Sequence, residues 1–258
     1  MKISVVINTL NSEKILRKCL DSVKDFDEII ICDMYSSDGT LSIAAEYNCK
    51  IIMHEQGGGI VEPAREFAVK AANCDWVLVV DSDEIVTKEL KDYLYSEIKK
   101  EKTLNGFFVP RKNFFLNKFM HSVYPDYQLR FFKKEKFIHW PVTIHAVPKI
   151  EGAVGKIPAK SELSFIHLDK NRVKDMVSKM NVYSERDLLR RKKTENLFGL
   201  LLKPFFRFFK LYILKGGFRD GKAGFLYANL RAYAKFLFIA KSIEQASLSK
   251  KAQESLFD

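Results

Sequence analysis

Three aspartates stand where predicted strands end. Asp33 closes the apolar run Glu28–Asp33, and Asp81 and Asp83 follow Trp76–Val80 in the order Asp81-Ser82-Asp83-Glu84. Two carboxylates at i and i+2 just past a strand can hold a hard divalent cation, which bridges phosphate oxygens and neutralises a departing diphosphate. The same four residues also suit a capping loop before a helix starting near Thr87. If both strands belong to one parallel sheet, all three acids meet in the crevice at its carboxyl edge.

The elements that would carry them alternate. Lys2–Asn8, Glu28–Asp33, Lys50–His54 and Trp76–Val80 read as strands. Between them lie a helix capped by Ser12 with Ile15, Leu16, Cys19, Leu20 and Val23 at helical spacing, a second opened by Ser37-Asp38-Gly39-Thr40, and a third over Pro63–Asn73 behind the glycine run Gly57–Gly59. This β-α alternation predicts an α/β fold with a doubly wound, mostly parallel sheet. Shorter strands follow at about Gly106–Pro110, Gln128–Phe132, Val142–Val147 and Leu163–His167. From about Asn171 to Ser247 the chain reads as helical, broken near Thr194 and at Gly216-Gly217. We therefore expect a catalytic domain over 1–169 and a helical region over 170–258.

Charge divides the chain at the same place. Residues 1–169 hold 23 Lys and Arg against 24 Asp and Glu, whereas residues 170–258 hold 20 against 8. The last third is thus suited to a polyanion. Its stretch Leu197–Leu214 is rich in Leu and Phe and is interrupted by Lys203, Arg207 and Lys210, behind the basic run Arg190–Lys193. That pattern is too charged for a spanning helix and fits one lying in a membrane interface. We expect an anionic membrane surface as partner and no nucleic acid; packing on the domain, or on a second copy to form a homo-oligomer, is the alternative. The four cysteines lack metal-site spacing and read as free thiols. With an N-terminal apolar run too short for a signal sequence, they place the protein in the cytoplasm, peripheral on the inner face of the membrane.

The segments Ile3–Asn11, Glu28–Asp33 with Ser36–Thr40, and Trp76–Glu84 resemble, in order and spacing, family-2 glycosyltransferases of the GT-A (Rossmann-like) fold. Tyr124–Phe132, Ile144-His145 and the basic aromatic tail resemble the branch containing lipopolysaccharide-core β-glucosyltransferases. The resemblance implies a nucleoside diphosphate sugar as donor, first among them a UDP-sugar, a divalent metal (Mn or Mg), and a glycolipid or polysaccharide acceptor. It also implies roles. Thr9 and Asp33 would hold the base and ribose, Arg65 would steady the nucleotide, Asp81 would touch ribose or metal, and Asp83 would ligate the metal with His167. Arg130 would fork across the diphosphate; as alternatives, Arg65 pairs with Glu62 or Glu66 and Arg130 with Asp126.

An inverting transfer needs a base beside the acceptor hydroxyl. In the resembling branch a glutamate follows the histidine, but here His145 is followed by Ala146. Asp126, then His145, are the candidates, with Glu151 or loss of activity as alternatives. A nucleotidyltransferase would bring a glycine-rich basic loop after the first strand, which Asn8–Asn11 lacks. A non-catalytic membrane scaffold is the remaining rival.

Overall fold

A strand covered on both faces must be enclosed at every position, and Ile3–Thr9 (β1) is buried along all seven residues. It is followed by α1 (Glu13–Val23), β2 (Glu28–Asp33), α2 (Thr40–Glu46), β3 (Lys50–Met53), α3 (Glu62–Ala71), β4 (Trp76–Asp81), β5 (Glu84–Ile85) and α4 (Lys88–Ile98). Short strands succeed them: β6 (Gly106–Val109), β7 (Arg111–Phe115), β8 (Lys118–Phe119), β9 (Gln128–Lys133), β10 (Phe137–His139), β11 (Lys149–Ile150), β12 (Val154–Lys156) and β13 (Phe165–His167). Three long helices end the chain: α5 (Val173–Arg190), α6 (Leu197–Phe209) and α7 (Gly221–Glu254). This computed structural model describes residues 1–55, 61–100, 104–143, 146–168, 173–190 and 196–254. The chain divides into two compact units, Met1–Asn113 with Pro125–Leu168, and Phe114–Tyr124 with Asp169–Asp258.

The first unit is built on a seven-stranded sheet ordered β12-β6-β9-β4-β1-β2-β3. β4, β1, β2 and β3 run parallel, while β9 runs antiparallel to β4 and to β6. Side chains alternate between its faces. Ile3, Val5, Ile7, Leu78 and Val80 join Leu16, Leu20, Leu90 and Leu94 in one core, and Val6, Ile30, Val77 and Val79 join Ala64, Ala68 and Val69 in the other. Helices thus cover both faces, which explains why β1 and β4 carry continuous apolar runs. Trp76 stacks on Phe131 with centroids 4.6 Å apart. All four cysteines are free.

Two local expectations are corrected. Ser12 sits before α1, but its hydroxyl lies 3.0 Å from that of Ser82 and makes no capping bond. Asp38 serves instead, accepting the Glu13 amide at 3.1 Å and the Thr40 amide at 3.0 Å. It thereby caps the starts of α1 and α2 with one carboxylate. The described residues of Val142–Val147 form no strand, because the Thr143 amide bonds to Pro141 and the Ala146 amide to Thr143, closing tight turns. Thr87 does cap α4, accepting the Leu90 amide at 3.2 Å. The glycine run Gly57–Gly59, Thr194 and the cations at 191–193 lie outside the described residues.

In the second unit, β7 ends in a hairpin with β8 that pairs Phe114 with Phe119. α6 passes into one π-helical turn over Lys210–Leu214, and Gly216 breaks the chain at φ +69°, as its left-handed backbone requires. Asp220 ties this corner together. Fully buried, it accepts the amides of His121 and Ser122 at 2.9 and 3.0 Å and the Ser122 hydroxyl at 2.7 Å, with His121 Nδ1 at 3.0 Å. Burial raises its carboxyl pKa, but the bonds from Ser122 and His121 outweigh it and hold the group below the usual carboxylate range.

A depressed carboxylate pKa contributes stability that is present above the unfolded value and lost as pH falls through the folded one. Asp220→Ala should therefore cost on the order of 3 kcal/mol in urea unfolding at pH 7, since buried donors lose a charged acceptor. The gap to wild type should narrow below about pH 4.

Candidate functional site

Register brings the expected residues to one edge. Thr9 stands opposite Asp33 across β1 and β2, and Asn8 opposite Asp81 across β1 and β4. Thr9 and Asp33 are both fully buried. The Thr9 hydroxyl donates to Asp33 at 2.7 Å, and the amide and hydroxyl of Ser36 donate to it at 2.7 Å each. This bracing holds the intervening Tyr35, 60% exposed, at φ +63°, a conformation that costs a non-glycine residue energy. Asp33 therefore shapes the loop after β2 from beneath.

Asp81 is gripped by two arginines. Arg65 Nη2, from α3, lies 2.5 Å from one oxygen, and Arg130 Nη2, from β9, lies 3.0 Å from the other. Arg65 and Arg130 thus both pair with Asp81, while Glu66 pairs with Lys70 and Asp126 with Arg111. Both guanidiniums lie over the buried Trp140 ring, at 5.4 and 5.7 Å from its centroid. Burial pushes the Asp81 carboxyl up, but the charges of Arg130, Arg65 and Arg111 overwhelm that and hold it far below the carboxylate range. Burial lowers the Arg130 pKa against the pull of Asp81, and Arg65 adds repulsion. Two cations thus share one carboxylate in a desolvated corner. Arg130 Nη1 and Arg65 Nε are buried there without a hydrogen-bond acceptor. An anion would meet those donors and balance the excess charge.

Asp83 faces a different partner. β5 pairs with β13, Glu84 opposite His167, and this ladder sets Asp83 Oδ2 3.3 Å from His167 Nε2. The other ring nitrogen, Nδ1, lies 2.9 Å from Asn113 Oδ1 and is the donor to it. With Nδ1 donating to Asn113, Nε2 faces Asp83: protonated, it donates to that carboxylate, and neutral, it offers a lone pair at the same place. A hard carboxylate and an imidazole side by side fit a divalent cation such as Mn²⁺ or Mg²⁺. Among the described residues no group of three or more His, Cys, Asp or Glu forms a metal cage, so a bound substrate would supply further oxygens.

Asp126 lies in a third arrangement. Arg111 reaches it through Nε at 3.0 Å and Nη2 at 2.7 Å, Asn113 at 3.0 Å and Gln128 at 3.0 Å. Burial raises its pKa, but Arg111 and the two amides outweigh burial and set it below the usual range. Arg111 also bonds Glu84 at 3.0 Å, and the fully buried Glu84 accepts the Asp81 amide at 3.0 Å. His145 lies outside the described residues. Arg111, Asn113, Glu84 and Trp140 thus join the site without having been singled out in the sequence. Arg111 and Asn113 meet Asp126 15 and 13 residues on, Glu84 meets Arg111 27 residues on and Trp140 meets Glu66 74 residues back, so no local spacing announces them.

The comparisons with known proteins agree with this architecture. The profile of the family described as Glycosyl transferase family 2 matches residues 4–149. An uncharacterized glycosyltransferase of Rickettsia felis is 28% identical over 265 residues, which cover 96% of this chain and 92% of the relative. The lipopolysaccharide core biosynthesis glycosyltransferase LpsC of Rhizobium meliloti is 26% identical over 257 residues, covering 96% and 94%. Among solved structures, S. aureus TarS 1-349 in complex with UDP-GlcNAc aligns with a TM-score of 0.51 at 17% identity, covering 96% of this chain and 92% of that one. The expected fold class, GT-A with a mixed, mostly parallel sheet and C-terminal helices, is the one found.

Glu84 offers a direct test of the buried network. Burial and the neighbouring Asp81 raise its carboxyl pKa against the pull of Arg111 and Arg130, so its charge is costly to keep. Glu84→Gln retains an acceptor for the Asp81 amide and should change stability by about 1 kcal/mol or less in urea unfolding. Glu84→Ala leaves that amide and Arg111 short of an acceptor and should cost about 1–3 kcal/mol.

Proposed function

The chain belongs to glycosyl transferase family 2, and from that membership we propose that it moves a sugar from a UDP-sugar to a hydroxyl of a lipid-linked or lipopolysaccharide-core acceptor, with inversion. The observation that carries the donor half is the buried Arg130 and the partly buried Arg65 sharing Asp81 with donors left open, together with Asp83 and His167. That pattern suits a diphosphate. TarS, solved with UDP-GlcNAc, supports the choice of a UDP-sugar, and LpsC, named for lipopolysaccharide core biosynthesis, supports the acceptor class.

In this reading Thr9 and Asp33 set the loop after β2 that receives the nucleoside, and Arg65 and Arg130 bind the diphosphate. Asp81 holds both guanidiniums in place. Asp83 and His167 would hold Mn²⁺ or Mg²⁺, which when bound neutralises charge on the diphosphate. The acceptor oxygen attacks the anomeric carbon as the bond from that carbon to the diphosphate oxygen breaks. Asp126 takes the hydroxyl proton. Its side chain is 31% exposed and it is ionised at neutral pH, although its bonds to Arg111, Asn113 and Gln128 make it a weak base.

Thermal shift with UDP tests the site. UDP with Mn²⁺ should raise the melting temperature more than UDP alone, and Asp83→Ala should remove the metal-dependent part while keeping the fold. Burial lowers the His167 pKa, but its hydrogen bond to Asp83 and the Asp83 charge raise it overall. A proton therefore competes for Nε2, and the metal-dependent gain should shrink as pH falls through that raised value, from a starting point of about 6.5. Unchanged metal dependence in Asp83→Ala sinks the assignment.

Turnover tests the base. Asp126→Asn should lower kcat on the order of 100-fold with UDP binding intact. Near-normal turnover would move the role to His145.

A further inference from the structure

α6 wears its apolar face on the outside. Leu197, Phe198, Leu201, Phe205 and Phe206 are 59–73% exposed and Phe209 is 40% exposed. At about 100° per residue these six fall within one half of the helix circumference. At one margin of that half, Phe208 packs edge-on to Phe225 of α7. A helix in water would show the reverse pattern, with charges outward. The exposed face is also larger than scattered surface leucines explain.

Its charge names the occupant. From Asn196 to Arg219 the sequence contains no Asp or Glu and five cations, Lys203, Arg207, Lys210, Lys215 and Arg219. Lys203 and Lys210, both exposed, project beside one edge of the apolar half. None of the described helices is long and apolar enough to cross a membrane. We propose that the outward face of α6 lies in the plane of an anionic lipid surface, with its phenylalanines and leucines at the acyl boundary and its lysines among the headgroups. A bilayer of anionic lipid meets both features together, whereas an apolar protein groove meets only the first. The proposal stands independently of the donor chemistry, since lipid binding is read with no nucleotide or metal present.

Full-length protein sedimented with vesicles of phosphatidylglycerol and phosphatidylcholine decides it. Wild type should pellet with anionic vesicles, markedly less with pure phosphatidylcholine, and less as salt rises. Lys203→Gln with Lys210→Gln should lower the partition coefficient about 25-fold, about fivefold per cation. Phe198→Ser with Phe205→Ser should also release the protein, and because both side chains are exposed its urea midpoint should not change. Wild type staying in the supernatant with anionic vesicles at low salt overturns the proposal, as does equal binding to neutral vesicles. So does a dimer in sedimentation equilibrium that Phe198→Ser with Phe205→Ser dissociates while vesicle binding persists, because a second copy then covers the face.

Discussion

Charges in a closed interior must be balanced, and at the carboxyl edge of the sheet that balance is held by Asp81. Its two oxygens take one arginine from α3 and one from β9, and its own amide is fixed by Glu84. Glu84 in turn engages Arg111, which reaches on to Asp126. Acids and bases from four separated stretches of chain, at Arg65, Asp81 with Glu84, Arg111, and Asp126 with Arg130, are thereby locked in one network, each group's position conditional on the next. Such networks rigidify a site when every member is satisfied and invite a ligand where one is not. The members left short here are both cationic, Arg65 and Arg130.

The alternation of β1, β2 and β4 with α1, α2 and α3 was legible because each strand is apolar along its length and each helix repeats at 3.6 residues. Asp33, Asp81 and Asp83 were legible for the same reason, since a strand's end locates its last carboxylate. What those carboxylates do was not legible. Asp81 carried two expectations, ribose or metal, and neither pointed to Arg65 and Arg130, which its oxygens meet here. Arg111 follows Pro110 in a stretch with no motif, and only the pairing of β7 with β13 and the return of the chain at Asp126 reveal its partners. Short strands such as β5, two residues long, carry no periodicity, although β5 is what aligns Asp83 with His167.

The helical region was read from composition, whereas the compact unit that contains it also takes in Phe114–Tyr124. Its break at Gly216 was visible because glycine alone takes that backbone without strain. The part played by Asp220 was not, since it binds residues about a hundred positions earlier. A buried acid that caps a distant turn looks, in sequence, like any solvated acid in a basic helix. Which way α6 faces is likewise a tertiary fact: its Leu and Phe suit a core as well as an interface, and only their exposure distinguishes the two.

The low basicity of Asp126 bears on how the proposed transfer is driven. A carboxylate bonded by Arg111, Asn113 and Gln128 takes a proton reluctantly, so with Asp126 as the proposed base, proton removal would not lead the reaction. In that proposal, bond breaking to the diphosphate would run ahead of it, until the acceptor oxygen has become acidic through its own attack. That order places the larger demand on the leaving-group side, where Arg65 and Arg130 hold donors in reserve. Their desolvation makes each contact with a developing diphosphate charge stronger than it would be in water. A weak base and a strong cationic clamp are thus complementary, and the network through Glu84 and Arg111 joins the two in one scaffold.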